Sequence, residues 1–122
     1  MPKKILLVDD DSKILLLEKT ILTQSGFSVE TALDGLEALE KLKKGSFDGI
    51  VLDILMPHMD GYETAKEIKK LENHKSTPIV MVTAAPEKDA MTQSFASGVL
   101  IFMNKPFTAQ SFLSVIQTVV TK

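Results

Sequence analysis

The chain has 122 residues, a length that suits one domain able to bury a core without disulfide or metal staples. Hydrophobic residues make up 44% and charged residues 25%, and the net charge of −2 gives no electrostatic case for nucleic acid or an anionic membrane surface. All 14 basic residues are lysine and cysteine is absent, which excludes bidentate arginine clamps on phosphate, disulfides, thiolate catalysis and cysteine-ligated zinc.

No apolar stretch reaches the roughly 18 residues that a membrane span needs. Only four apolar residues separate Met1-Pro2-Lys3-Lys4 from the first aspartates, too few for a signal peptide, so the cytoplasm is the expected compartment. In chain order, Ile5 to Val8 reads as a buried strand ending in Asp9-Asp10-Asp11. A capping Ser12 opens a helix with Ile14, Leu15, Leu17, Ile21 and Leu22 inward, closed by Gly26. Phe27 to Ala32 reads as a short strand. Asp34-Gly35 is a turn, and Leu36, Leu39 and Leu42 mark a helix ending at Gly45. Phe47 to Asp53 is the next strand, and Tyr62 to Asn73 a helix with Ala65, Ile68 and Leu71 inward. Pro78 to Thr83 is a strand, and Pro86 starts a helix that ends near Gly98. Val99 to Met103 is the last strand, and Thr108 begins a helix with Phe112, Ile116 and Val119 inward. Continuous apolar strands joined by helices, five times over, imply a parallel α/β sheet covered on both faces.

The strand ends carry the chemistry. Open α/β sheets bind ligands beyond the carboxyl ends of their strands. Asp9 to Asp11, Asp53, Thr83 and Asn104-Lys105-Pro106 all follow apolar runs, so carboxylates, a hydroxyl and an ammonium converge on one edge. Clustered aspartates repel one another when ionised, and a divalent cation is the usual remedy. Oxygen-only ligands without a dedicated cage suit Mg²⁺. Metal, lysine, threonine and a carboxylate nucleophile together match phosphoryl transfer. A Gly-rich phosphate loop is absent, so nucleotide binding is not indicated. Asp11 also suits a helix cap. Capping does not account for Asp53, because the turn at 56–61 delays the next helix. Thr83 could cap a following helix, but two alanines intervene. His58 and His74 lack metal-ligand spacing and read as surface loop residues. The lysines at 41, 43, 44, 66, 69 and 70 read as solvated helix faces, and the six methionines as core fillers.

The segments ILLVDDD at 5–11, DGIVLDILMPHMDGYE at 48–63, PIVMVTAA at 78–85 and IFMNKPF at 101–107 closely resemble, in order and spacing, the receiver domains of two-component response regulators, chemotaxis regulators included. The resemblance covers the whole chain, read as one domain over 1–122. It implies a doubly wound, flavodoxin-like (βα)5 fold with a five-stranded parallel sheet in the order 2-1-3-4-5. It implies Asp53 as phosphoacceptor and Asp9 and Asp10 as the acidic pocket. Asp10, Asp53 and the carbonyl of Leu55 then hold Mg²⁺. Thr83 becomes the switch hydroxyl, Phe102 the switch aromatic, and Lys105 the phosphate-contacting lysine before a cis Pro106. The implied partner is a histidine kinase or histidine phosphotransfer protein, with no nucleic acid or membrane bound by the domain itself. A phosphorylation-dependent partner or homodimer is expected on the face of the fourth helix, fifth strand and fifth helix.

Two competing readings stand beside this one. A Mg²⁺-dependent phosphohydrolase of the haloacid-dehalogenase type would use Asp9 as nucleophile, but it leaves Asp53 without a role and wants a cap domain. An inactive receiver would serve only as an interaction module, against a full set of Asp9, Asp10, Asp53, Thr83 and Lys105. Leu55 and Ala85, two residues beyond Asp53 and Thr83, are apolar and expected to flank the approach of water to phosphorus. Leu100 and Ile101 stand where receivers often carry acidic residues, so Leu100 is either core under the fourth helix or part of an apolar docking patch. The chain is expected to stand alone or to precede an output domain beyond Lys122; no DNA-binding, cyclase or kinase segment is read within it.

Overall fold

The computed structural model describes residues 2–84 and 90–120. Five strands alternate with five helices: β1 (Lys4–Val8), α1 (Ser12–Gln24), β2 (Ser28–Ala32), α2 (Gly35–Lys44), β3 (Gly49–Asp53), α3 (Gly61–Lys69), β4 (Ile79–Thr83), α4 (Ala90–Ala96), β5 (Ile101–Asn104) and α5 (Ala109–Val120). All strand pairings are parallel, in the order β2-β1-β3-β4-β5. This is the flavodoxin-like sheet that the resemblance implies.

Side chains alternate along each strand, and both faces are apolar. Leu6, Val8, Ile50, Leu52, Ile79 and Met81 face a core shared with Ala38 and Leu42 of α2 and Ala65 and Ile68 of α3. Ile5, Leu7, Val51, Val80 and Val82 face the other core, with Leu15 and Leu22 of α1 and Phe112, Ile116 and Val120 of α5. The central strands β1, β3 and β4 are thus buried on both sides. Their carboxyl ends are fixed in space by the core beneath them.

The helix ends depart from the sequence reading in ways that bear on the site. Asp11 is the cap of α1, as its sequence reading allowed, and Ser12 is the first helical residue: the Asp11 carboxylate accepts from the backbone N–H of Lys13 at 2.9 Å and of Ile14 at 3.4 Å. The buried row of α1 is Leu15, Glu18 and Leu22, at helical i, i+3, i+7 spacing, while Leu17 is 56% exposed. Leu36 is likewise outside the core, and Ala38 takes the inward place on α2. α3 stops at Lys69, and a 3₁₀ turn (Glu72–His74) replaces its last turn. β5 begins at Ile101 rather than Val99. Thr108 caps α5 by accepting from the N–H of Ser111, and Val120 sits deeper than Val119. Ala85 and the proposed helix start at Pro86 lie outside the described residues.

His74 is not on the surface; it is 1% exposed. Its Nε2 lies 3.1 Å from the carbonyls of Leu42 and Gly45, and Nδ1 lies 3.0 Å from Thr77 Oγ1. Carbonyls only accept, so Nε2 donates to them, and Nδ1 pairs with the threonine hydroxyl, which can either donate or accept. The ring satisfies orphan carbonyls at the end of α2, which is why a histidine can be buried there. Lys69 is also drawn in, with Nζ donating to the carbonyl of Thr77 at 2.6 Å, and burial pushes its ammonium pKa down.

Leu100 is 55% exposed and precedes β5, with its backbone N–H donated to Ile79. The reading of Leu100 as core is therefore overturned: the strand starts one residue later and the side chain never enters the sheet layer. Met91 and Phe95 of α4 are also exposed. Leu100→Asp should leave the fold intact, with a stability change within about 0.5 kcal/mol as for other exposed positions. A thermal melt checks this, and a fall of several kcal/mol would return Leu100 to the core.

Candidate phosphoacceptor site

Asp9 and Asp10 follow the last residue of β1, and Asp53 is the last residue of β3, the neighbouring strand. Asp9 is 2% exposed and Asp53 is 7% exposed, while Asp10 faces solvent. One carboxylate oxygen from each of the three lies within 4.8 Å of the others, close enough to hold one metal ion. A backbone bond steadies the acidic loop, since Asp9 Oδ1 accepts from the N–H of Asp11 at 2.9 Å.

β4 delivers the hydroxyl. Asp53 is opposite Val82 in the β3–β4 register, so Thr83 stands one residue further out beside it. Thr83 is 1% exposed, and its Oγ1 has no hydrogen-bond partner among the described residues. β5 delivers the ammonium. Asn104 is opposite Thr83, and the N–H of the next residue, Lys105, donates to the carbonyl of Thr83 at 2.7 Å. Lys105 Nζ sits 2.8 Å from Asp9 Oδ2 and 3.6 Å from Asp53 Oδ2. The Lys105–Pro106 peptide is cis. Phe102 is half-buried against the core on the α2–α4 side.

The β3–α3 loop shapes the open side. His58 takes a positive φ of 69°, and the N–H of Met59 closes a tight turn onto the carbonyl of Pro57 at 2.7 Å. Gly61 then passes so near the end of β3 that a Cβ would lie 2.5 Å from the carbonyl oxygen of Asp53 and 2.8 Å from Cα of Ile54. Only glycine fits at that crossing. Asp60 caps α3 by accepting from the N–H of Glu63. Asp10, Leu55, Met56, Pro57 and Tyr62 line a cleft of about 380 Å³ here, and Leu55 is 55% exposed at its edge.

The site carries more negative than positive charge. Burial raises the Asp53 pKa to about 6, and the nearby Asp9 charge adds to that; Lys105 and the backbone N–H groups of Leu55 and Ile54 oppose it. Burial alone would lower the Lys105 pKa, but its bond to Asp9 and the charges of Asp53, Asp9 and Glu18 raise it overall. Lys105 is therefore a permanent cation between two acids. The oxygen-only donor set suits Mg²⁺, and a divalent ion would offset the repulsion among three carboxylates.

Sequence reasoning missed Glu18. It is 1% exposed, and its Oε2 has no hydrogen-bond partner among the described residues. Burial raises its pKa to about 8; the Lys105 charge opposes the rise and the charges of Asp9 and Asp53 add to it. Its spacing from Leu15 and Leu22 was the available signal, hidden by the habit of reading glutamate as solvated.

A family model described as the response regulator receiver domain matches residues 5–117. The chain is 41% identical over 107 residues to chemotaxis protein CheY-3 of Vibrio cholerae, covering 87% of this chain and 82% of that protein. It is 39% identical over 119 residues to the transcriptional regulatory protein CpxR homolog of Haemophilus influenzae, covering 98% of this chain but only about half (51%) of that protein. The solved structure of Vibrio cholerae chemotaxis protein CheY4 superposes with a TM-score of 0.93 at 36% identity, covering 98% of this chain and 99% of that one. Match length, identity and the shared sheet order agree: the chain belongs to the response regulator receiver domain family of two-component signalling.

Proposed function

We propose that this chain, as a single receiver domain over 1–122, takes a phosphoryl group on Asp53 from the phosphohistidine of a histidine kinase or histidine phosphotransfer protein. The observation that carries the reading is the position of Asp53. It ends the central strand, largely shielded from water, inside a three-carboxylate cluster and 3.6 Å from a lysine ammonium. A pKa of about 6 leaves it mostly ionised near pH 7, so one oxygen can attack phosphorus while the phosphorus–nitrogen bond to the donor histidine breaks. Asp9, Asp10, Asp53 and the Leu55 carbonyl are the ligands assigned to Mg²⁺, which would neutralise charge on the phosphoryl oxygens. Lys105 would leave Asp53 for a phosphoryl oxygen. The buried Thr83 hydroxyl, unpartnered among the described residues, supports a second donor there, and its movement would open space for Phe102. The phosphohydrolase reading loses ground, because Asp9 is tied to Lys105 at 2.8 Å rather than free to attack.

Receiver domains act as signalling domains and not as classical enzymes. Here the exposed Leu100, Met91 and Phe95 beside β5 support an output face that a phosphorylation-dependent partner, or a second copy, would cover. Leu100→Asp should then abolish association in the presence of beryllofluoride, read by sedimentation, while the domain stays folded. Unchanged association would defeat this part of the reading.

The function is tested by incubating the protein with acetyl phosphate or a phosphohistidine donor and reading intact mass. One phosphoryl group should be gained with Mg²⁺ and none with chelator. Gain independent of Mg²⁺ would contradict the metal assignment. The product should also be long-lived. Leu55 is exposed at the rim of the cleft and offers no hydrogen bond to orient water. Leu55→Asn should raise the dephosphorylation rate by about two- to tenfold, below the usual range for a placed general base; an unchanged or slower rate would count against it.

A further inference from the structure

Glu18 has no part in the phosphoryl chemistry, yet it is buried beside it. A second cleft, about 360 Å³, lies between α1 and the segment after β5. Ile14, Leu17, Pro106 and Phe107 make its apolar walls, and Glu18 and Lys105 are its charged members. Phe107 is held by stacking on Phe112, with ring centroids 4.9 Å apart. Glu18 and Lys105 are not in ion-pair contact, and among the described residues the buried Glu18 Oε2 has no hydrogen-bond partner. Such an atom is costly to leave unpaired.

Lys105 meanwhile occupies the metal cluster. Its ammonium lies against Asp9 and near Asp53, two of the three carboxylates that converge within 4.8 Å. A divalent cation drawn to those oxygens would repel the ammonium at short range. The lysine must then loosen its bond to Asp9. An ammonium half-buried in a protein needs another anionic or hydrogen-bonding partner. The cleft it already lines offers one in Glu18, beside otherwise apolar walls among the described residues.

We propose that Glu18 is the second seat of Lys105: metal entry moves Nζ from Asp9 toward Glu18 Oε2, so that Glu18 acts as a positioning residue favouring the metal-bound site. The proposal rests on the Mg²⁺ reading above and adds a coupling to it. Glu18 strengthens metal binding only because it receives the lysine that metal displaces. A direct field effect of a buried negative charge would instead act whether or not Lys105 is present.

The test is a Mg²⁺ titration at fixed pH and ionic strength of wild type, Glu18→Gln, Lys105→Met and the double variant, followed by calorimetry and by the ¹⁵N resonance of Lys105 Nζ. Glutamine keeps the shape but cannot become a carboxylate for an arriving ammonium to pair with; Glu18→Met serves if that variant does not fold. Glu18→Gln should weaken Mg²⁺ binding by about five- to tenfold, within the range of site-to-site coupling. It should also abolish most of the Mg²⁺-induced shift at Lys105 Nζ. In the Lys105→Met background the same change should alter affinity less than about twofold. Equal affinity of wild type and Glu18→Gln would overturn the proposal and leave the metal site standing. An equal loss in both backgrounds would overturn it too, in favour of a field effect. Failure of wild type to bind Mg²⁺ would overturn the metal reading and the proposal with it.

Discussion

Asp10→Asn should lower Mg²⁺ affinity by about a hundredfold, because groups that merely orient a ligand already cost 10–100-fold when removed. Asp10 is the exposed member of the cluster, where a cation arriving from solvent first meets charge. It takes no part in the hydrogen bonds that fix Asp9 and Asp11. A structural role would predict the opposite pattern, with a damaged fold and little change in binding. The expected outcome is an intact fold whose melting temperature without metal equals or exceeds that of wild type, since one like charge has been removed from the cluster. The same variant should gain less thermal stability from added Mg²⁺ than wild type does. A drop of many degrees without metal would assign Asp10 to structure.

The second large effect is a pH dependence set by Glu18. Its pKa rises from 4.5 unfolded to about 8 folded, chiefly through burial. The folded state therefore holds the proton over a pH range in which the unfolded state has lost it. Stability from the protonated acid is fully present below about pH 4.5 and is lost as pH rises through 8. Asp53 adds the same sign between 3.8 and about 6. Metal-free wild type should thus lose stability from pH 5 to pH 8, with Glu18 accounting for about 3–5 kcal/mol. Glu18→Gln removes the titrating group and should flatten most of that slope. Urea melts at several pH values with chelator present measure it. Equal slopes in the two proteins would show that Glu18 is not buried as an acid.

The two-faced core and the placement of Asp9, Asp10, Asp53, Thr83 and Lys105 on one edge were legible because each depends on short, strong patterns, whereas the sheet order followed from the resemblance to receiver domains. Apolar runs such as Ile5 to Val8 and Ile79 to Val82 read as buried strands, and the residues next in the chain must emerge at the carboxyl end of the strand. Two features were not legible, and a third, Leu100, was left open between core and surface. Leu17 and Glu18 are adjacent in α1, and hydrophobicity alone turns the leucine inward; the geometry turns the acid inward, because Leu15 and Leu22 already fix the helix face. His74 reads as polar loop, but its three partners come from residues 42, 45 and 77, distant in sequence or inside an irregular turn. Leu100 lies in a continuous apolar run, and only the β4–β5 register, which starts at Ile101, leaves it outside. Each miss concerns where a pattern is cut, which neighbouring strands and helices decide.

The most direct test of the central claim is the location of the phosphoryl group. Wild type, Asp53→Asn and Asp9→Asn should be exposed to acetyl phosphate with Mg²⁺ and weighed intact. Borohydride reduction and peptide mapping should then mark any acyl phosphate as a reduced aspartate. The expected result is one phosphoryl group on wild type, at Asp53, none on Asp53→Asn, and a slower gain at the same position on Asp9→Asn. Equal gain by Asp53→Asn, or a reduced aspartate at position 9, would contradict the assignment of Asp53 as phosphoacceptor.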